Sequence, residues 1–150
     1  MNVENRLLPD AAQRDELAKP GPDGPIVMVN LLKFRERAQY PDGRDAHLSG
    51  REAYQRYGRL FVPLLRGIGG RVVYSGPVNG LSIGVVDSLW DEVALAGYPS
   101  RSAFVRMTST PEYREIAVHR TAGLEGQLNI ETVPAGQLKI ETVPAAAPAR

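Results

Sequence analysis

The chain has 150 residues, 43% of them apolar and 23% charged, with a formal net charge of +1. That gives room for one domain with one modest core, and so even a balance offers no bulk attraction for nucleic acid or an anionic membrane. There is no cysteine and there are only two histidines, His47 and His119, which excludes disulfides, thiolate catalysis, cysteine-ligated metal centres and a histidine-rich metal site.

Met1 to Arg6 lacks the basic-then-apolar layout of a signal peptide. No apolar run approaches the ~18 residues of a membrane span. A cytoplasmic protein is therefore expected. Asp10 is placed to cap a short helix through Ala18, and Pro20 to Pro25 reads as a linker, so residues 1–24 form an N-terminal arm. Ile26 to Leu32 is a near-continuous apolar run rich in β-branched residues, which suits a central strand buried on both faces. Tyr40-Pro41-Asp42-Gly43 marks a turn in the polar stretch that follows. Ser49 with Glu52 matches a capping box. Tyr54, Tyr57, Phe61, Leu64 and Ile68 then form a helical stripe, with Pro63 expected to kink the helix and Gly67, Gly69 and Gly70 to end it.

Arg71 to Tyr74 is a strand that Gly76-Pro77 ends or bulges, Leu81 to Val86 suits a short hairpin arm, and Trp90 to Tyr98 is the next strand. Ser100 caps a second helix carrying Phe104 and Met107. Ser109 restarts it, with Pro111 in the first turn and Glu112 three residues on. Tyr113, Ile116 and either His119 or Arg120 continue one face to Gly123. Leu124 to Val133 is the last strand, with Leu128 and Ile130 on one face. The domain thus spans 25–133 and its β-α-β-β-α-β order specifies an α+β split-βαβ sandwich: a four-stranded antiparallel sheet with two helices on one face. The tail, 134–150, repeats GQLNIETVPA (126–135) as GQLKIETVPA (136–145). The second copy is surplus to the domain, either a free tail or an added edge strand.

Two helices cover only one face of a four-stranded sheet. The central strand is nevertheless apolar at both parities, Met28 and Leu32 against Val27 and Leu31. A bare apolar sheet is rare on a monomer, so a homodimer packed sheet on sheet is expected.

Several segments, in order, resemble the family called domain of unknown function 1330. They are Val29 to Phe34, Ser49 to Tyr54 with Tyr57-Gly58, Gly69 to Val72, Tyr98 to Arg101 with Phe104 and Met107, Pro111 to Tyr113, and His119 to Leu124. The resemblance covers roughly residues 10–132. It implies a ferredoxin-like domain of the dimeric α/β-barrel superfamily, which includes cofactor-free monooxygenases, haem enzymes, isomerases and proteins without known activity. It supports the fold and the dimer and leaves the function open.

The residues that could carry chemistry are few. Gly80-Leu81-Ser82-Ile83-Gly84 is a literal G-x-S-x-G, but the required strand-to-helix turn is missing, so hairpin glycines are the better account. Gly67-Ile68-Gly69-Gly70 follows a helix and precedes a strand, the reverse of a dinucleotide fingerprint. His119 sits where a helix end favours a cation, or faces the cleft between helices and sheet as an acid or base; as a haem ligand it is a weak candidate. Arg120 would bind a carboxylate or enolate oxygen, or pair with Glu112, Glu115 or Asp91. Asn30 interrupts an apolar strand and must be hydrogen-bonded. Tyr54, Tyr57 and Tyr98 place hydroxyls on apolar faces. Arg51 and Arg101 lie in first helical turns, where a cation is disfavoured, with Asp91 an available partner for either. The leading expectation is a dimer that binds a small organic acid or aromatic metabolite, with no cofactor, no nucleic acid and no membrane. In a catalytic version His119 moves a proton, Arg120 steadies an anion, and Asn30 with Tyr98 orients a carbonyl. The competing expectation is a non-catalytic binding or interaction module. A roomy cleft would favour the first; one plugged by Phe61, Phe104 and Met107 would favour the second.

Overall fold

The computed structural model describes residues 1–135. The element order is α1 (Ala11–Ala18), β1 (Ile26–Phe34), α2 (Gly50–Gly67), β2 (Arg71–Pro77), β3 (Glu92–Tyr98), α3 (Arg101–Thr108), α4 (Pro111–Gly123) and β4 (Leu124–Thr132). The strands form one antiparallel sheet in the order β2-β3-β1-β4. The second repeat copy, 136–145, lies outside the described residues.

Side-chain caps fix the helix starts. Asp10 and Gln13 close a capping box on α1, and Ser49 and Glu52 close one on α2. The second helix is two helices. Ser109 ends α3, and Thr110 rather than Ser109 caps α4, accepting from Tyr113 N. Proline in the first helical position explains this, because the cap must directly precede Pro111. α2 runs through Pro63 without a break in its helical assignment. Residues 78–91 form no hairpin strands; they are an exposed loop, with Ile83 89% and Val85 95% exposed.

The helices cover the face carrying Ile26, Met28 and Leu32. Ile26, Leu32, Leu65 and Leu124 are fully buried, each worth about 1.5–3 kcal/mol against exposure. Within one subunit β1 is not buried on both faces: Val27, Val29 and Leu31 are only partly covered. The register sets them beside Val93 and Leu95 of β3 and Leu128 and Ile130 of β4. The uncovered face is therefore apolar across three strands.

Two glycines bring the helices together. A Cβ on Gly50 would overlap the Arg35 carbonyl and stand 2.5 Å from Gly123 O, and one on Gly123 would stand 2.5 Å from Gly50 O. The backbone fills the space instead: Arg35 N donates to Gly123 O at 2.8 Å and Gly50 N to Arg35 O at 3.1 Å. The N-terminal arm lies along β4, where Arg6 and Gln127 exchange backbone hydrogen bonds of 3.0 and 3.1 Å. Asn5 Oδ1 accepts from Trp90 Nε1 at 2.8 Å.

Candidate functional site

A cleft of about 320 Å³ opens between α2 and the sheet where β1 ends and β3 begins, lined by Phe34, Tyr54, Gln55, Gly58, Arg59 and Glu92. The Ser49 cap sets the phase of α2, so that Tyr54 and Gly58 fall one turn apart on the same face. Phe34 ends β1, and its ring meets that of Tyr54 at 5.4 Å. Glu92 opens β3 and accepts from Arg51 Nη1 at 2.8 Å. The Arg51 guanidinium also lies 4.7 Å over the Phe34 ring, so it spans the mouth. Gly58 has no heavy atom within 4 Å of where a Cβ would sit. Glycine inside a helix costs about 0.8–1.0 kcal/mol relative to alanine. Packing does not demand it here, and a side chain would project into the cleft.

Inward of the cleft the aromatics form a chain. Tyr54 meets Tyr57 at 5.3 Å, Tyr57 stacks on Phe61 at 5.3 Å, and the Tyr57 and Tyr113 hydroxyls are hydrogen-bonded at 3.0 Å. Tyr98 packs edge-on against Phe104 at 5.0 Å. Burial pushes the phenols of Tyr54, Tyr57 and Tyr98 well above their ordinary range. At neutral pH they are hydroxyl donors, not bases. Among the described residues, neither the Tyr54 nor the Tyr98 hydroxyl has a hydrogen-bond partner. The Arg120 guanidinium opposes the upward shift at both Tyr54 and Tyr57. It is half-buried, and its Nη2 donates to Leu7 O at 2.6 Å. None of Glu112, Glu115 and Asp91 forms an ion pair with it among the described residues. Asn30 Nδ2 donates to Met28 O at 3.3 Å and Ala94 O at 3.1 Å, tying β1 to β3 on the helix-covered face.

The remaining expected site residues go elsewhere. His119 turns onto the 38–48 segment. Its Nδ1 is 2.6 Å from Tyr40 Oη, and its ring meets the Tyr40 ring edge-on. No contact of His119 with Asn30 or Tyr98 is present, because α4 offers Tyr113 and Arg120 to the aromatic chain and His119 lies one residue, about 100° of helix, away. Burial and the nearby Arg44 and Arg56 hold its imidazole below the ordinary range. Arg101 is spent on Glu131, with hydrogen bonds of 2.7 and 2.8 Å, and on the carbonyls of Glu16 and Lys19. Asp91 pairs with neither Arg51 nor Arg101; it accepts from Phe34 N at 2.8 Å and lies 3.7 Å from Lys33 Nζ. Ser82 sits on the exposed 78–91 loop, without the strand-to-helix turn that the hydrolase motif requires.

Four of the expected residues, Asn30, Tyr54, Tyr98 and Arg120, thus belong to the interior between helices and sheet. Phe34, Gly58, Arg59 and Glu92 complete its open end and were not singled out as site residues. Gly58, a glycine inside an amphipathic helical stripe, was the one of these with a signal in the sequence. Arg59 and Glu92 carry none, since their roles arise only when α2 meets β3.

This fold places the chain among ferredoxin-like α+β proteins. It belongs to the family described as Domain of unknown function (DUF1330), whose model matches residues 45–132. A protein of unknown function from Rhodopseudomonas palustris, RPA0582, is 38% identical, with a TM-score of 0.79 over 89% of this chain and 99% of that one. Its methylated form gives 39% identity and a TM-score of 0.81 over 91% and 100% of the two chains. SnoaB, a cofactor-independent oxygenase from Streptomyces nogalater, is 14% identical with a TM-score of 0.50, covering 77% of this chain and 98% of its own, and shares the fold alone. No curated protein matches the chain.

Proposed function

We propose that the protein is a homodimer, each subunit of which binds a small organic molecule in the cleft at Phe34, Tyr54 and Gly58. The observation that carries this reading is the Tyr54 side chain: a ring packed against Phe34 and Tyr57 whose hydroxyl has no partner among the described residues. A sequestered hydroxyl without a partner costs free energy, and a ligand oxygen removes that cost. Gly58 supports the reading from the other wall. Its helix penalty is offset by nothing in the protein and keeps the space open. The dimer is supported by the apolar face of Val27, Val29, Leu31, Val93, Leu95, Leu128 and Ile130, which no element of the subunit covers.

The chemistry such a cleft supports without a cofactor is stabilisation of an oxyanion. A neutral Tyr54 hydroxyl donates to a ligand oxygen, and Arg120 favours negative charge there. Glu92, the one acid lining the cleft, is held by Arg51. A second reading, a non-catalytic module, is favoured by the opposite end of the interior, where Phe61, Phe104 and Met107 pack tightly around Tyr98.

Native mass spectrometry and a thermal-shift screen of metabolites test both parts. A dimer is expected, with one or more compounds stabilising the wild type and losing that effect in Gly58→Leu. A monomer removes the dimer, and compounds that stabilise both proteins equally remove the cleft. Leu31→Glu on the uncovered face is expected to yield folded monomer.

A further inference from the structure

The charges around the cleft do not balance. Glu92 is its single lining carboxylate and is matched by Arg51 at 2.8 Å. Arg59, which lines the mouth, has neither an ion pair nor a side-chain hydrogen bond among the described residues. Deeper in, Arg120 is half-buried, gives one hydrogen bond to a backbone carbonyl, and has no carboxylate within 4.0 Å among the described residues. A guanidinium offers five N–H donors, and removing such a charge from water without a counter-ion is costly. Elsewhere the same chain matches its enclosed arginines to acids, as Arg101 to Glu131 and Arg56 to Asp45 show. At the cleft two positive charges are left over, beside an unpartnered hydroxyl donor and the walls made by Phe34, Tyr54 and the bare backbone of Gly58.

We infer that the ligand of this cleft is a small unsaturated organic acid. Its carboxylate meets Arg59 at the mouth, its apolar body lies along Phe34, Tyr54 and Gly58, and a second oxygen, carbonyl or phenol, accepts from Tyr54 in the field of Arg120. The inference rests on the binding reading above and adds the charge of the ligand and the residues that select it. About 320 Å³ is at the low end of ligand-pocket volumes and fits a single ring with short substituents. Arg59 is a specificity-determining residue on this account, and Arg51 is not, because Glu92 already neutralises it.

The test uses matched pairs of probes: benzoate, 4-hydroxybenzoate and cinnamate, each with its uncharged primary amide. Their dissociation constants for the full chain are measured by ligand-observed NMR at low ionic strength. At least one acid is expected to bind about tenfold more tightly than its amide, as one charge-assisted hydrogen bond implies. The ratio should fall toward one in Arg59→Gln and stay unchanged in Arg66→Gln, an exposed arginine later on the same helix. Acids and amides binding equally, an Arg59→Gln ratio equal to wild type, or no acid binding at all would each overturn the inference. Amides that bind wild type and fail to bind Gly58→Leu would sink the charge assignment and leave the cleft standing. Probes that bind wild type and Gly58→Leu alike would sink the cleft itself.

Discussion

The interior between the helices and the sheet has two unlike ends. At the Ile26–Tyr98 end, Leu65, Met107, Phe61 and Phe104 close around Tyr98, which is 4% exposed. At the Phe34–Glu92 end, the same helix α2 presents Tyr54, Gly58 and Arg59 to an open cleft. One sheet and one helix serve both. The difference lies in which residues α2 turns inward: Phe61, Leu64, Leu65 and Ile68 in its second half, tyrosine and glycine in its first. Stability and binding are thereby assigned to opposite ends of one helix, and substitutions should separate them.

The largest effect is expected at the closed end. Leu65→Ala should cost about 2–5 kcal/mol, since Leu65 is fully buried and a cavity adds to the lost transfer energy. Urea unfolding reads the loss, and ligand affinity in the folded fraction should not change. Gly123→Ala comes next, at about 1–3 kcal/mol, because the new Cβ meets Gly50 O and Tyr54 N. It sharpens the comparison by lying next to the open end: shifting Tyr54 should weaken binding as well as stability. Gly58→Leu should do the reverse of Leu65→Ala, raising helix stability by up to about 1 kcal/mol while abolishing binding; equal losses of both would erase the distinction between the ends. The smallest effect belongs to neither end. His119 is held below its ordinary value of 6.5 by burial, Arg44 and Arg56, against Asp45, with Tyr40 hydrogen-bonded to it. Below that pH the unfolded chain takes up the proton more readily than the folded one, so stability should fall as pH drops through 6.5 toward the folded value. His119→Gln should flatten that slope without altering binding in the cleft.

The fold was legible because its signals are local. Capping pairs at Asp10 and Ser49 and the apolar stripe of α2 act within a turn or two of helix, and the alternation of β4 acts between adjacent residues. The restart of α4 was misplaced by one residue, since Ser109 and Thr110 are chemically interchangeable as caps and only the proline decides between them. The site was legible in part. Asn30, Tyr54 and Tyr98 stood out as polar groups on apolar faces, a pattern visible in one element alone. Arg101, Asp91 and His119 did not follow expectation, because their partners Glu131, the Phe34 amide and Tyr40 lie 30, 57 and 79 residues away in the chain. Residue type says that an arginine needs an acid; it does not say which acid the sheet register will deliver. The same holds for Arg59 and Glu92, whose importance exists only after α2 is laid across β3.

The two rims of the sheet bear on how the protein survives at high concentration. An open strand rim is a template on which a neighbouring molecule can add its own strand and begin a fibre. Here β2 carries an irregularity between Val72 and Tyr74, which twists that rim out of register for a straight incoming strand. At the other rim the backbone of Gln127 is already engaged by Arg6. Growth of the sheet sideways is obstructed on both margins, and self-association is steered away from endless stacking toward a closed, countable assembly. Deleting the first eight residues would then be felt less in the folding of one molecule than in the shelf life of a concentrated solution.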